Sequence, residues 1–166
     1  RQSAALLVVR EKGGYLGLTD RLIDLHVEDH ATPIRELARL LRIRQAQMAS
    51  KRAAALVEQA AATTGSRATA LLGEAGSLME DALVRHPSDD HGWWFLARIQ
   101  LMQGRQQAAA LSAQRALLEN PAWRHLSPAN RASLGVSDEL LDALMAIDTF
   151  SRVWDSLAAG SGAGLP

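Results

Sequence analysis

The chain has no cysteine, which excludes disulfides, thiolate zinc sites and thiol nucleophiles and leaves the compartment open. Lysine is nearly missing too: among 18 Lys and Arg, only Lys12 and Lys51 are lysine, a bias of the kind a GC-rich bacterial genome produces. Neither charge sign dominates, because 18 Asp and Glu balance the basic residues. Bulk charge therefore does not draw the chain to nucleic acid or to an acidic substrate. Long apolar runs are lacking. The longest, residues 4–9, falls far short of the ~20 residues that a membrane helix needs. The chain opens on Arg1 rather than Met, as expected of a periplasmic protein trimmed of a signal or membrane helix, and equally of any fragment. Catalytic signatures are lacking as well: no glycine-rich phosphate loop follows a strand, and there is no GxSxG elbow and no zinc motif. The expectation is a binding protein, not an enzyme, with no cofactor and no metal.

What is present is a chain of 166 residues, 48% hydrophobic, enough to bury the core of one ordinary domain. No segment alternates convincingly with period two, and only the first ten residues read as a strand, so the fold class expected is all-α. Residues 1–31 read as short segments, a docking arm, with a helix from Thr19 to about Glu28. Thr32-Pro33 is a helix start, a hydroxyl followed by proline at the first helical position. From there a long, basic, amphipathic helix is expected through residues 32–65, with Ile34, Leu37, Leu41, Met48, Ala55 and Leu56 on its apolar side. Gly65 ends it, and Ser66 is read as the cap of the next helix, to Arg85. There Gly76 suits close packing between helices. Asp89-Asp90 opens another helix, which stops at Gly104, and residues 105–120 form its antiparallel partner. Ser127-Pro128 starts a short helix closed by Gly135. Ser137 caps a last helix, a single one to about Leu157, with Leu140, Leu141, Leu144, Ile147, Phe150, Val153 and Trp154 buried. Residues 161–166 read as a frayed tail.

Proline recurs 34 residues apart, at Pro87 and Pro121. Ala82 and Ala75 precede the first by 5 and 12 residues, and Ala116 and Ala109 precede the second by the same offsets. A fixed period of this length is the mark of stacked helix pairs. Within residues 90–121, Trp93, Leu96, Ala97, Gly104, Ala109, Ala116 and Pro121 fall where the tetratricopeptide (TPR) family places Trp, Leu, a small residue, Gly, Ala, Ala and Pro. The stretch resembles one complete repeat of that family. The preceding unit, about residues 56–89, matches only in Ala75, Ala82 and Pro87, and resembles a degenerate repeat. Residues 86–98 are also similar to TPR segments of bacterial cytochrome c assembly proteins, which bind an unfolded client outside the cytoplasm. The resemblance implies antiparallel hairpins, one good and one degenerate, with the long helix before them and a C-terminal capping helix within residues 66–160.

The resemblance also implies a concave face, on the first helix of the complete repeat, built from His91, Trp94, Phe95, Arg98, Leu101 and Met102. Trp93 is then expected in the seam and Trp94 outside it. Aromatics beside an arginine make a good peptide-binding surface. The competing reading is that the N-terminal helices or the terminal cap fold over Trp94. Phe95 and Met102 stand where carboxylate-clamping members of the family carry Asn and basic residues, which argues against that mode. A second candidate is the face Arg35, Arg39 and Arg42, stepping by 4 and 3, suited to an acidic partner or anionic headgroups or simply a solvated face. It has no aromatic interleaving, which gives single-stranded nucleic acid no support. His26 and His30 sit at i and i+4 but lack a third ligand. His86, His91 and His125 fall at turns, where polar residues are ordinary.

Together these residues predict a scaffold or accessory subunit of a larger bacterial assembly that holds a partner peptide or helix on the concave face. Two alternatives are a periplasmic chaperone-like module for cytochrome assembly and a membrane-surface anchor through the basic helix. Membrane association would come through a partner or a preceding anchor.

Overall fold

Proline and glycine punctuate this chain where the backbone turns, and the helices between them follow from local chemistry. The computed structural model describes residues 32–160, with side chains described for residues 37–157. The N-terminal arm, His26, His30 and residues 161–166 lie outside the described residues. Among the described residues the fold is all-helical, with no strand. Seven α-helices follow in order: α1 Thr32–Ala61, α2 Gly65–Arg85, α3 Asp90–Met102, α4 Gln106–Glu119, α5 Pro128–Ser133, α6 Asp138–Met145 and α7 Asp148–Gly160, with a 3-10 turn at Pro121–His125 between α4 and α5. The chain divides into two compact units, residues 1–48 and 49–166. The first is described only through the opening half of α1.

The long helix is less amphipathic than its sequence suggests. Its buried side carries mostly alanine: Ala38, Ala46, Ala53 and Ala60, joined near the end by Leu56 and Val57. Leu40 and Met48 are exposed, and so is Ala55. Small residues let a helix approach its neighbours closely, so burial here follows size and not hydropathy. Ser66 does not cap α2 either. Thr64 occupies that position without a side-chain bond, and Gly65 opens the helix at φ +68°.

Within the second unit, successive helices run antiparallel, as polar contacts show. Arg52 of α1 meets Glu74 of α2 at 2.7 Å across a three-residue turn. Between α2 and α3, Gln103 Nε2, one residue past the end of α3, donates to the Leu72 carbonyl at 2.8 Å. A Cβ on Gly76 would lie 3.1 Å from Gln103 and 3.7 Å from Ile99, and one on Gly92 would lie 2.9 Å from Leu83. Partners thus descend one helix as they climb the other. The same holds for α3 and α4, where Ser112 Oγ donates to Gln100 Oε1 at 2.8 Å in a buried pair, and Asn120 Nδ2 donates to Asp90 Oδ2 at 2.7 Å. Gly104, at φ +74°, makes the turn between them in a conformation that glycine adopts without cost.

The 34-residue period of the sequence reappears in the backbone. His86 ends α2 at φ −138°, ψ 73°, its N–H bonded to the Ala82 carbonyl. Asn120 ends α4 at φ −144°, ψ 89°, its N–H bonded to the Ala116 carbonyl. Proline follows both and forbids further helix.

Two apolar clusters fill the unit. One gathers Ala53, Leu56, Val57 and Ala60 of α1, Leu72, Ala75, Met79 and Leu83 of α2, and Leu96 and Ile99 of α3. The other joins Trp94 and Ala97 of α3 to the alanine face of α4, to Trp123, and to Leu140, Leu141, Leu144, Ile147 and Phe150. The half-buried Trp93 packs against both. The final helix expected as one piece is two. Ala146 and Ile147 interrupt it, the Ile147 N–H bonding to the Leu144 carbonyl, and Asp148 opens α7 with an acid in its first turn. The bend lets α7 lie across α4, where Gln114 Nε2 donates to the Thr149 carbonyl at 2.6 Å.

Candidate functional site

Helix α3 carries all six residues of the expected concave face, and its own start is unusually well fixed. Asp89 is the cap, its side chain accepting the Gly92 N–H at 2.9 Å. The next residue, Asp90, bonds outward. Its carboxylate accepts from Asn120 Nδ2 and from the Trp123 indole N–H, each at 2.7 Å, and from the His91 N–H at 3.1 Å. Burial alone would push the Asp90 carboxyl up. The bonds from Asn120 and Trp123, the nearby His91 charge and the His91 N–H together hold it below the ordinary aspartate value. This carboxylate ties the first turn of α3 to the end of α4.

From that anchor the helix turns two sides in different directions. Trp94, expected on the open face, is 2% exposed. Its ring meets Trp123 edge-on at 5.7 Å and Phe150 at 6.1 Å. The C-terminal helix α7 supplies Phe150 and so covers Trp94, which removes it from any open groove. Its indole N–H finds no acceptor among the described residues, so its burial is a matter of packing. Leu101 lies half-buried against the same cluster. Trp93, expected in the seam, packs half-buried against both clusters, its Nε1 donating to the Pro87 carbonyl at 2.8 Å.

The other four residues share a stripe. His91, Phe95, Arg98 and Met102 step by 4, 3 and 4 positions, which at ~100° per residue places them within about 60° of arc. His91 and Arg98 are exposed, Phe95 is half-buried against the first cluster, and Met102 is 42% exposed. The His91 ring also stands edge-on to Trp123 at 4.9 Å. The Arg98 side chain makes no ion pair or hydrogen bond with any described residue. By contrast Arg52, Arg105, Arg115 and Arg131 each meet a carboxylate, and Arg124 lies over the Trp154 ring at 5.4 Å.

The second candidate face divides. Arg39 is exposed and Arg42 half-buried, and both interact within the chain. The side chain of Arg35 lies outside the described residues. Among the described residues no helix is long and apolar enough to cross a membrane, and no group of three potential ligands gathers for a metal ion.

Sequence reasoning missed Trp123, which is 1% exposed and organises the closed side of α3. It sits in a 3-10 turn, where no helical periodicity flags it. The one cue was its position just after Asn120-Pro121, a capping residue followed by proline. Comparison with protein-family models, with curated proteins and with solved structures finds no match.

Proposed function

We propose that this chain is a TPR-like scaffold or accessory subunit, a binding protein and not an enzyme, which holds a partner peptide or helix along α3. The reading takes α1–α2 as the degenerate hairpin, α3–α4 as the good one, and α6–α7 as the cap. The matched ends of α2 and α4, the buried alanines at Ala75, Ala82, Ala97, Ala109 and Ala116, and the antiparallel succession support it. The observation that carries the binding role is the stripe His91, Phe95, Arg98 and Met102: aromatic, thioether and cationic side chains aligned on one helix, with His91, Arg98 and Met102 exposed and Phe95 half-buried beside them. Aromatics and arginine supply most of the energy at protein interfaces.

The engagement of Arg39 and Arg42 within the chain favours the α3 stripe over the basic face of α1 as the principal contact. The test is affinity capture from the source cell with mass spectrometry, comparing wild type with Phe95→Ala and Arg98→Ala. A partner lost in both variants supports the reading. Undiminished recovery in both overturns it.

A further inference from the structure

The α3 stripe places its one permanent charge between its two apolar side chains. Arg98 lies three residues beyond Phe95 and four before Met102, about 4.5 and 6 Å along the helix axis. Any partner that covers both apolar groups must therefore also cover the guanidinium. That group presents five N–H donors and has no acceptor of its own. Covering it with apolar surface alone would strip its hydration with nothing in return. Nothing on this helix answers the charge. The only acid of α3, Asp90, is taken up by Asn120 and Trp123, and the Arg98 guanidinium has no bond to any described residue.

Resting on the docking surface proposed above, we propose that the partner segment is an amphipathic helix that presents a carboxylate to Arg98 between two apolar side chains. The spacing selects a helix. Phe95 and Met102 are seven residues apart, two turns, and a partner helix carries apolar residues on one face at the same interval. The acid then falls three or four positions from either anchor. A carboxylate fits best because it accepts two parallel bonds from the guanidinium fork.

The experiment is selection from a displayed library of designed helices, with the anchor and central positions randomised, against the full chain. Selected helices are expected to carry Asp or Glu between apolar anchors. Their affinity should fall about tenfold for Arg98→Ala, and Arg98→Glu should shift the selected central residue to Lys or Arg. Circular dichroism checks that these exposed-site variants stay folded. Helices that keep the apolar anchors, lose affinity for Phe95→Ala, and show no preference at the centre would overturn this inference and leave the docking surface standing. If no helix is selected, or those selected ignore Phe95→Ala and Met102→Ala alike, the docking surface itself fails, and the inference with it.

Discussion

At the scale of single residues, Asp90 does more than any other polar group of α3. It receives two side-chain donors at 2.7 Å, one of them from a tryptophan otherwise sealed in the core. Asp90→Ala leaves the Trp123 N–H and the Asn120 amide without their acceptor and is expected to cost about 1–3 kcal/mol, read from chemical denaturation. The pH dependence has a definite sign. The folded-state pKa lies below the unfolded one, so the stabilisation is complete above the ordinary aspartate range and drains away as pH falls through the folded value. Thermal midpoints of wild type should thus decline below about pH 4, and Asp90→Asn should flatten the part of that decline due to this group. Equal slopes in the two proteins would refute the assignment. Sequence identified Asp90 as an acid favourable at a helix start, which it is. It did not reveal the partners thirty residues away, because those depend on how α4 returns.

Glycine gives the sharpest test among the elements. Gly73 and Gly92 both sit in helices, where alanine is ordinarily preferred by about 0.8–1.0 kcal/mol. A Cβ at Gly73 meets nothing within 4 Å, whereas one at Gly92 would lie 2.7 Å from Asp89 Oδ2 and 2.9 Å from Leu83. Gly73→Ala is therefore expected to raise stability by up to about 1 kcal/mol, and Gly92→Ala to lower it by about 1–3 kcal/mol through the displaced cap and the crowded contact. Shifts of the same sign in the denaturation midpoints would contradict this pairing. The helix ends at Pro87, Gly104, Pro121 and Gly135 were legible because proline and glycine act locally. The break between α6 and α7 was not. Residues 146 and 147 are Ala and Ile, and the apolar positions Leu140, Leu144 and Ile147 continue through it at helical spacing. Just beyond the break Phe150 packs on Trp94, a contact that joins residues 56 positions apart. The burial of Trp94 has the same origin. Adjacent tryptophans differ by about 100° on a helix, and only a distant element decides which is covered.

For the whole molecule, α7 acts as the wall that closes one side of α3. Phe150 is fully buried against Trp94, and Phe150→Ala should cost about 3–5 kcal/mol. Tryptophan emission should shift to the red as Trp94 meets water. Loss of stability with unchanged emission would place the cavity elsewhere. Among the described residues the all-helical build was plain from the lack of period-two segments, whereas the open and closed sides of α3 were not, since both depend on what residues 123–157 cover.

Trp93, leaning on both clusters from the helix between them, makes each the other's neighbour in an energetic sense. Neither can dissolve alone without baring a face of that indole, so heating residues 49–157 should trace a single sigmoid. Trimming the ring in Trp93→Ala is expected to spread the curve into two steps.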